Sequence, residues 1–207
     1  MIDPSSEPHV LTPGAAVALV QRARDGDLGA FNELVELHQR TVYNLCLRML
    51  GSGMPAEDAT QDVFVSAFKN IRQFKGASFR AWLMRIAANA CTDELRRRRR
   101  RPALSLDTPP PGSEDPLDPA DAAPGPETLT LRAEQREWVQ AALLRLPADQ
   151  RMAVILCDIQ GFAYEEIAAS MRTSVGTVKS RIARGRDKLR RDLGSAPSEQ
   201  SGIEDRR

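Results

Sequence analysis

The side chains best suited to binding a ligand through charge and hydrogen bonds lie near the C-terminal end of the chain. Between Arg172 and Arg191 there are eight Lys or Arg residues and a single acid, Asp187. Arginine and lysine can donate hydrogen bonds to guanine edges and phosphates, and Ser and Thr hydroxyls can donate to phosphates. The pattern indicates DNA recognition, with a plain solvated basic helix as the alternative. The candidate DNA-contacting residues are Arg172, Thr177, Lys179, Ser180, Arg181 and Arg184.

The same segment has the spacing of a helix-turn-helix. A short helix over 163–171, with small Ala168 and Ala169, precedes a tight turn and a second helix that Thr173 or Ser174 can cap. Apolar residues at suitable spacing would fill the wedge between the two helices. These are Ile167, Met171, Val175, Val178 and Ile182.

Side chains for catalysis or metal binding are scarce. The only histidines are His9 and His38, and the cysteines Cys46, Cys91 and Cys157 form no CxxC pair. We interpret the cysteines as buried free thiols, with a disulfide or a zinc site as the alternative. No phosphate-binding glycine-rich loop is present. The sequence therefore predicts no catalytic residue, no metal and no cofactor, and a protein that is not an enzyme.

Charge is strongly segregated along the 207 residues, although 29 basic and 28 acidic side chains leave a net charge of only +1. Six arginines run from Arg96 to Arg101, where they would contact phosphates or form a solvated helix end. Residues 102–127 hold six acids, no Lys or Arg, and eight of the fourteen prolines. Such a segment cannot continue a helix, so we predict a flexible, acidic, Pro-rich linker between domains over 14–101 and 128–193.

Apolar spacing predicts an all-α protein of two small helical domains, an N-terminal helical bundle and a C-terminal four-helix domain with the helix-turn-helix. The apolar side of the second helix includes Phe64 and Phe68. The N-terminus lacks the pattern of a signal peptide and no apolar run is long enough to span a membrane, so we expect a cytoplasmic protein. The predicted helices cover 27–50, 55–73, 78–101, 128–145, 148–158, 163–171 and 174–192.

Three blocks of sequence carry a family resemblance. They are residues 56–76, AEDATQDVFVSAFKNIRQFKG; residues 78–100, SFRAWLMRIAANACTDELRRRRR; and residues 146–190, LPADQRMAVILCDIQGFAYEEIAASMRTSVGTVKSRIARGRDKLR. In this order, and separated by a Pro-rich linker, they resemble the extracytoplasmic-function (ECF) group of the sigma-70 family of bacterial RNA polymerase sigma factors. The resemblance implies sigma region 2 over 14–101 and region 4 over 128–193.

For region 2, the resemblance implies docking on the β′ clamp helices of core RNA polymerase and reading of the −10 promoter element. A generic acidic helix N-terminus is the alternative for the docking face, and Trp82 is interpreted as core. Asn89 matches the position that faces a base flipped from the melted strand. The implied docking residues are Asp58, Gln61, Asp62, Phe64 and Val65. The implied −10 residues are Lys75, Ser78, Phe79, Arg80, Arg85, Asn89, Arg96 and Arg97.

For region 4, the resemblance implies contact with the β flap and reading of the −35 element by the candidate residues above. Two positions depart from the family: Ala163 stands where a Ser or Thr cap is common, and Ala183 stands where a larger side chain is common. The linker resembles the segment that threads the polymerase active site and RNA exit region, with a plain tether as the alternative. The short tail after Gly194 argues against an appended C-terminal domain.

The function implied is an alternative sigma factor that directs promoter-specific initiation in a stress or envelope response, under an anti-sigma factor. A rival interpretation is a stand-alone helix-turn-helix regulator, which would leave 56–100 as a sensor or dimerisation bundle. The acidic face around Asp58 and Asp62 discriminates the two, since only a sigma factor needs it for core polymerase.

Overall fold

A computed structural model describes residues 13–76, 78–100 and 126–194. Within these ranges the chain forms eight α-helices and no strand, which confirms the all-α prediction. Their bounds are α1 Pro13–Arg24, α2 Leu28–Leu50, α3 Gly53–Asn70, α4 Phe79–Arg100, α5 Pro126–Leu144, α6 Ala148–Val154, α7 Tyr164–Met171 and α8 Val175–Gly194. A 3₁₀ turn over Ile71–Gln73 extends α3, and a π-helical segment over Ile155–Ile159 extends α6.

The helix boundaries of the first domain follow from local side-chain chemistry. Asp27 caps α2 by accepting the Ala30 N–H at 3.0 Å, and the Ser78 hydroxyl caps α4 by accepting the Ala81 N–H at 3.1 Å. Gly51 ends α2 in the left-handed conformation, with φ of 78°. The predicted helix end at residue 50 is therefore present, and the helix predicted from 78 begins one residue later. Helix α1, for which no bounds were predicted, packs on α2.

The first domain is built around α2, α3 and α4, which pack against one another. Its fully buried large side chains include Val42, Leu45, Met49, Val63, Leu83 and Met84. Cys46 on α2 and Cys91 on α4 meet in this core with their Sγ atoms 3.7 Å apart, and both are buried free thiols. Cys157 is also a free thiol but is only partly buried.

The second domain contains α5 to α8, with α8 packed across α6, α7 and α5. The helix predicted over 148–158 is divided, because the chain passes from α-helical to π-helical bonding at Ile155. Gly185 on α8 lies so close to α6 that a Cβ atom there would be 2.7 Å from Cγ2 of Val154. The absence of a side chain at Gly185 therefore sets how closely α8 approaches α6.

The predicted linker lies outside the described residues up to position 125. Its last two residues, Pro126 and Glu127, instead belong to α5, so the predicted start at 128 is two residues late. A proline is compatible with the first turn of a helix, where its missing N–H has no partner to lose. Helix α8 likewise continues to Gly194, beyond the predicted end at 192.

Candidate nucleic-acid and protein interfaces

Helix α3 carries an exposed stripe with both acidic and apolar side chains. Asp58, Gln61 and Asp62 are exposed, Val65 is 51% exposed, and Phe64 is only half-buried against the core. Spacings of three and four residues place the exposed members on one face of the helix. We define the α3 stripe as Met54, Asp58, Gln61, Asp62, Val65 and Phe68.

Two members of the α3 stripe were not among the predicted docking residues. Met54 is 75% exposed and Phe68 is 49% exposed, and Phe68 contacts the Phe31 ring edge-to-face at 5.1 Å between centroids. The apolar spacing along α3 placed Phe68 on the buried side, which is wrong. The error arises because Phe68 lies at the edge of the buried face, where part of its ring contacts Phe31 and about half of the residue is exposed to solvent.

The segment that connects α3 to α4 rests on an aromatic cluster. Phe79 is buried, with its ring centroid 5.8 Å from that of Phe74, 5.4 Å from Trp82 and 5.5 Å from His38. Trp82 also stacks on Phe74 at 5.2 Å, in agreement with its interpretation as a packing residue. Of the predicted −10 residues here, Phe79 is thus packed inward. Lys75 and Arg80 are exposed and Ser78 is partly buried.

The remaining −10 candidates lie along α4. Asn89 is exposed and Arg85 is partly buried. Arg97 pairs with Glu94 at 2.5 Å and Arg96 with Asp93 at 3.5 Å, yet both arginine side chains are about two-thirds exposed, at 67% and 65%. Such exposed pairs contribute little to stability, so both guanidinium groups remain available to phosphates.

Helices α7 and α8 form the predicted helix-turn-helix. The Ser174 hydroxyl caps α8 by accepting the Thr177 N–H at 3.1 Å, which confirms one of the two proposed caps. Ile167, Val178 and Ile182 are buried between the helices, and Met171 and Val175 pack against them. Arg172 forms the turn in the left-handed conformation with φ of 50°, which is unusual for a residue other than glycine. Ile167, Met171, Val175, Val178 and Ile182 therefore fill the predicted wedge between α7 and α8.

Helix α7 begins without a side-chain acceptor at its cap position. Ala163 has the extended backbone of a cap residue, with φ of −67° and ψ of 154°, but its methyl group accepts no hydrogen bond. Glu166 supplies half of a capping box, because its Oε2 accepts the Ala163 N–H at 3.0 Å. The departure noted at Ala163 is therefore partly compensated.

The basic residues of α8 differ in how freely they present their charge. Lys179 and Arg184 are exposed, and the Lys179 Nζ lies 6.0 Å from the centroid of the Tyr164 ring. The Thr177 hydroxyl meets the Ser174 hydroxyl at 2.9 Å, and the Ser180 hydroxyl donates to the Thr177 carbonyl at 2.9 Å. Lys179 and Arg184, together with Arg172, are the candidates most open to a ligand.

Two other arginines of α8 are held by acids of their own domain. Arg181 pairs with Asp149 at 3.0 Å and its side chain is only 25% exposed. Arg186, which is not among the predicted DNA-contacting residues, pairs with Asp158 through two hydrogen bonds. Hydrogen bonding to Arg186 lowers the pKa of Asp158 below its usual range and raises the pKa of Arg186. Arg181 can reach DNA only after leaving Asp149.

Arg151 on α6 is buried and only 7% exposed, although nothing in its sequence context indicates a buried arginine. Burial lowers its pKa, and its guanidinium donates to backbone carbonyls on both domains. No pattern of residue types distinguishes it from the exposed arginines around it, because one of its acceptors, the Met49 carbonyl, lies 102 residues earlier in the chain.

Among the described residues, no group of three or more His, Cys, Asp or Glu side chains is arranged to hold a metal ion. None of the helices in the described ranges is both long and apolar enough to cross a membrane.

The chain matches two family models, Sigma-70 region 2 over residues 34–101 and Sigma-70 region 4 over residues 136–189. It is 38% identical to the ECF RNA polymerase sigma factor SigE of Mycolicibacterium smegmatis, covering 96% of this chain and 73% of that protein. It is also 38% identical to the ECF RNA polymerase sigma-E factor of Escherichia coli K12, covering 83% and 90%.

Solved structures with a similar fold include the sigma factor RpoE from Bartonella quintana in complex with the anti-sigma factor NepR. That match has a TM-score of 0.63 and 28% identity, and covers 80% of this chain and 98% of RpoE. CnrH, solved in complex with the cytosolic domain of CnrY, matches with a TM-score of 0.62 and 26% identity, covering 86% and 97%.

The helical architecture with its helix-turn-helix, and the two region models, define a sigma-70-type transcription factor. The chain belongs to the ECF RNA polymerase sigma factors.

Proposed function

We propose that this chain binds core RNA polymerase, directs it to promoters by reading a −10 and a −35 element, and is itself controlled by an anti-sigma protein. In this role it acts in the cytoplasm as a binding factor and catalyses no reaction of its own. Its relatives by sequence carry the name of ECF sigma factors, and one structural neighbour, RpoE, is a sigma factor solved in complex with an anti-sigma factor.

The α3 stripe is the observation that carries the proposal. A stand-alone DNA-binding regulator needs the α7–α8 unit but has no use for exposed acids beside exposed Val65 and Phe68. A stripe that combines acids with solvent-facing apolar side chains suits a protein partner with a basic rim and an apolar centre. We assign this stripe to the β′ clamp helices, with Asp58 and Asp62 as the steering charges.

The DNA-reading assignments follow from exposure. Asn89, with Arg96 and Arg97 further along α4, presents amide and guanidinium groups suited to a separated strand and its phosphates. The Arg80 guanidinium donates to the Gln160 carbonyl and lies over the Phe162 ring, so it has to leave both before it can contact DNA. On α8, Lys179 and Arg184 are open to a major groove. Phe79 acts in the −10 reader through packing, because its ring supports the segment that carries Lys75 and Ser78.

Run-off transcription with purified core polymerase tests the proposal, with a pool of genomic promoter fragments as template. The wild-type chain should give discrete start sites that share sequences near −10 and −35. If no fragment in the pool supports initiation at a discrete site, the proposed function is refuted.

The docking face is tested separately by charge reversal. Asp58→Arg combined with Asp62→Arg should weaken binding to core polymerase at least tenfold, since like charges would then face the partner's basic rim. The matched control is Glu36→Arg combined with Glu134→Arg, which makes the same change in net charge at exposed acids outside the α3 stripe. Equal loss in both variants, or no loss in either, would favour the stand-alone regulator.

A further inference from the structure

The core of the first domain contains a pair of thiols that the proposed function does not use. Cys46 on α2 and Cys91 on α4 are both fully buried, and their Sγ atoms lie 3.7 Å apart. A disulfide needs a sulfur–sulfur distance of about 2.05 Å, so the two atoms have to approach each other by roughly 1.7 Å. An approach of this size needs small changes in the two side-chain torsion angles, and the helices can keep their positions.

The two thiols differ in how readily they ionise. The Cys91 thiol donates a hydrogen bond to the Cys46 sulfur, and this bond lowers the pKa of Cys46 below its ordinary value. The same bond, together with burial, raises the pKa of Cys91. Because the thiolate is the reactive form of cysteine, Cys46 is the nucleophile of the pair, and Cys91 is in position to react with its oxidised product.

The third cysteine provides a comparison within the same chain. Cys157 is only partly buried, and its Sγ lies 3.6 Å from a terminal nitrogen of Arg186. Burial and a hydrogen bond with Asp158 raise the pKa of Cys157. Exposure and pairing thus favour different cysteines: a reaction governed by exposure would modify Cys157, whereas one governed by pairing would join Cys46 to Cys91.

We propose that Cys46 and Cys91 form an oxidisable dithiol, which a peroxide converts into a disulfide between α2 and α4. The Cys46 thiolate attacks one oxygen of hydrogen peroxide, the O–O bond breaks, and the other oxygen leaves as hydroxide, which takes up the thiol proton to become water. The Cys91 sulfur then attacks the Cys46 sulfenic acid, so that an S–S bond forms and a second water leaves. Two thiols and one peroxide thus give one disulfide and two waters, and the two electrons lost by the sulfurs reduce the peroxide.

Burial of the pair determines which oxidants can reach it. Local fluctuations expose core groups without unfolding the whole chain, and a molecule as small as hydrogen peroxide can use such an opening. Glutathione disulfide would have to place a tripeptide against the Cys46 sulfur inside the core. We therefore expect peroxide to form the bond slowly in the native chain, and glutathione disulfide to form it at least tenfold more slowly at the same concentration.

The disulfide would close a loop that contains much of the first domain. Cys46 and Cys91 are 45 residues apart, and the chain between them includes all of α3 and the segment that leads into α4. The loop therefore carries the complete α3 stripe and the aromatic cluster around Phe79. A crosslink stabilises a fold mainly by restricting the unfolded chain, so the oxidised form should keep these surfaces at temperatures that unfold the reduced form. The dithiol itself does not depend on the proposed function of those surfaces.

Peptide mapping of the full wild-type chain tests the proposal without any substitution. Trypsin places the three cysteines on three different peptides, 41–48, 86–96 and 152–172. The native chain is treated with hydrogen peroxide, and the remaining thiols are blocked with iodoacetamide in denaturant. Peptides 41–48 and 86–96 should then be joined, with a mass two hydrogen atoms below their sum, and dithiothreitol should separate them. Peptide 152–172 should carry the blocking group.

Thermal unfolding followed by circular dichroism measures the effect of the crosslink. The variant Cys157→Ala keeps the dithiol, and the matched control, Cys157→Ala with Cys91→Ala, lacks it. Peroxide should raise the Tm of the first variant by roughly 5–15 °C, and dithiothreitol should reverse the rise. The Tm of the control should not change. Cys91→Ser replaces Cys91→Ala in the control if the alanine variant does not fold.

Three results would overturn the proposal. The first is oxidation of Cys157 while peptides 41–48 and 86–96 both carry the blocking group. The second is a Cys46–Cys91 bond that forms only after the chain is unfolded in urea, and the third is an equal shift in Tm for the variant and its control. Run-off transcription separates this inference from the proposed function: a disulfide in the native chain, with no specific initiation by the reduced or oxidised form, contradicts the proposed function and leaves the dithiol standing.

Discussion

Replacing Ala163 by serine should stabilise the helix-turn-helix. The cap position of α7 already has an extended backbone, with φ of −67° and ψ of 154°, and Glu166 already accepts the Ala163 N–H at 3.0 Å. Only the reciprocal bond is missing, in which a cap oxygen accepts the Glu166 N–H. A serine hydroxyl can supply it without moving the backbone.

The size of the effect follows from helix-capping energetics. Helix α7 has eight residues, and its first N–H groups have no acceptor within the helix. A Ser in place of Ala at such a position contributes about 0.5–2 kcal/mol. Because one bond of the capping box is already present, we expect about 1 kcal/mol, or a rise in Tm of roughly 2–4 °C for a chain of this size.

Urea denaturation followed by far-UV circular dichroism measures this free energy of unfolding. Ala163→Val is the matched control, since valine tolerates the extended backbone and offers no acceptor. Serine and valine variants of equal stability would refute the capping argument. So would a serine effect that survives unchanged in a Glu166→Ala background, because the two bonds of a capping box support each other.

Three further outcomes are expected. Arg172→Gly should raise the free energy of unfolding, measured in urea, by about 0.5–1 kcal/mol. The left-handed backbone at this turn strains a residue with a side chain, and relief of that strain should exceed the entropy that glycine loses on folding. A loss of stability would show that the Arg172 side chain is itself stabilising. Asp149→Ala should tighten binding to −35 duplex DNA, because it releases Arg181 from its ion pair. The free energy of unfolding should change by less than about 1 kcal/mol. An unchanged affinity would remove Arg181 from the DNA-reading residues. Burial, and then the Arg80 charge, hold the pKa of His38 below its ordinary 6.5, so the unfolded chain takes up the proton first as pH falls. Stability should therefore decline below about pH 6.5, and urea midpoints across that range should show a shallower decline for His38→Gln.

The sequence was most informative where structure depends on near neighbours. Gly51 and Ser78 mark helix boundaries through their own backbone and side-chain chemistry, and Ser174 caps α8 in the same way. The wedge of the helix-turn-helix follows from the spacing of Ile167, Val178 and the other apolar residues between the two helices. Each of these features involves partners within a few residues or a regular period.

The features that the sequence missed depend on partners far along the chain. Arg151 is buried because it meets the Met49 carbonyl, 102 residues earlier. Phe68 is half exposed because its edge-to-face contact with Phe31 covers only part of the side chain. Arg181 can pair with Asp149 only because α6 and α8 pack against each other, and the sequence alone does not show that packing. Periodicity assigns a residue to a face of a helix, but it does not reveal which neighbour will cover that face.

The end of α2 limits how freely the two halves of this chain can be exchanged with those of its relatives. A chimera that joins residues 13–100 to a foreign C-terminal half would keep the packing among α2, α3 and α4. Unless that half supplied counterparts of Arg151 and Gln140, the Met49 and Leu47 carbonyls would lose their donors from the second domain. Such a hybrid would have both DNA readers, but the contact that couples them would be lost.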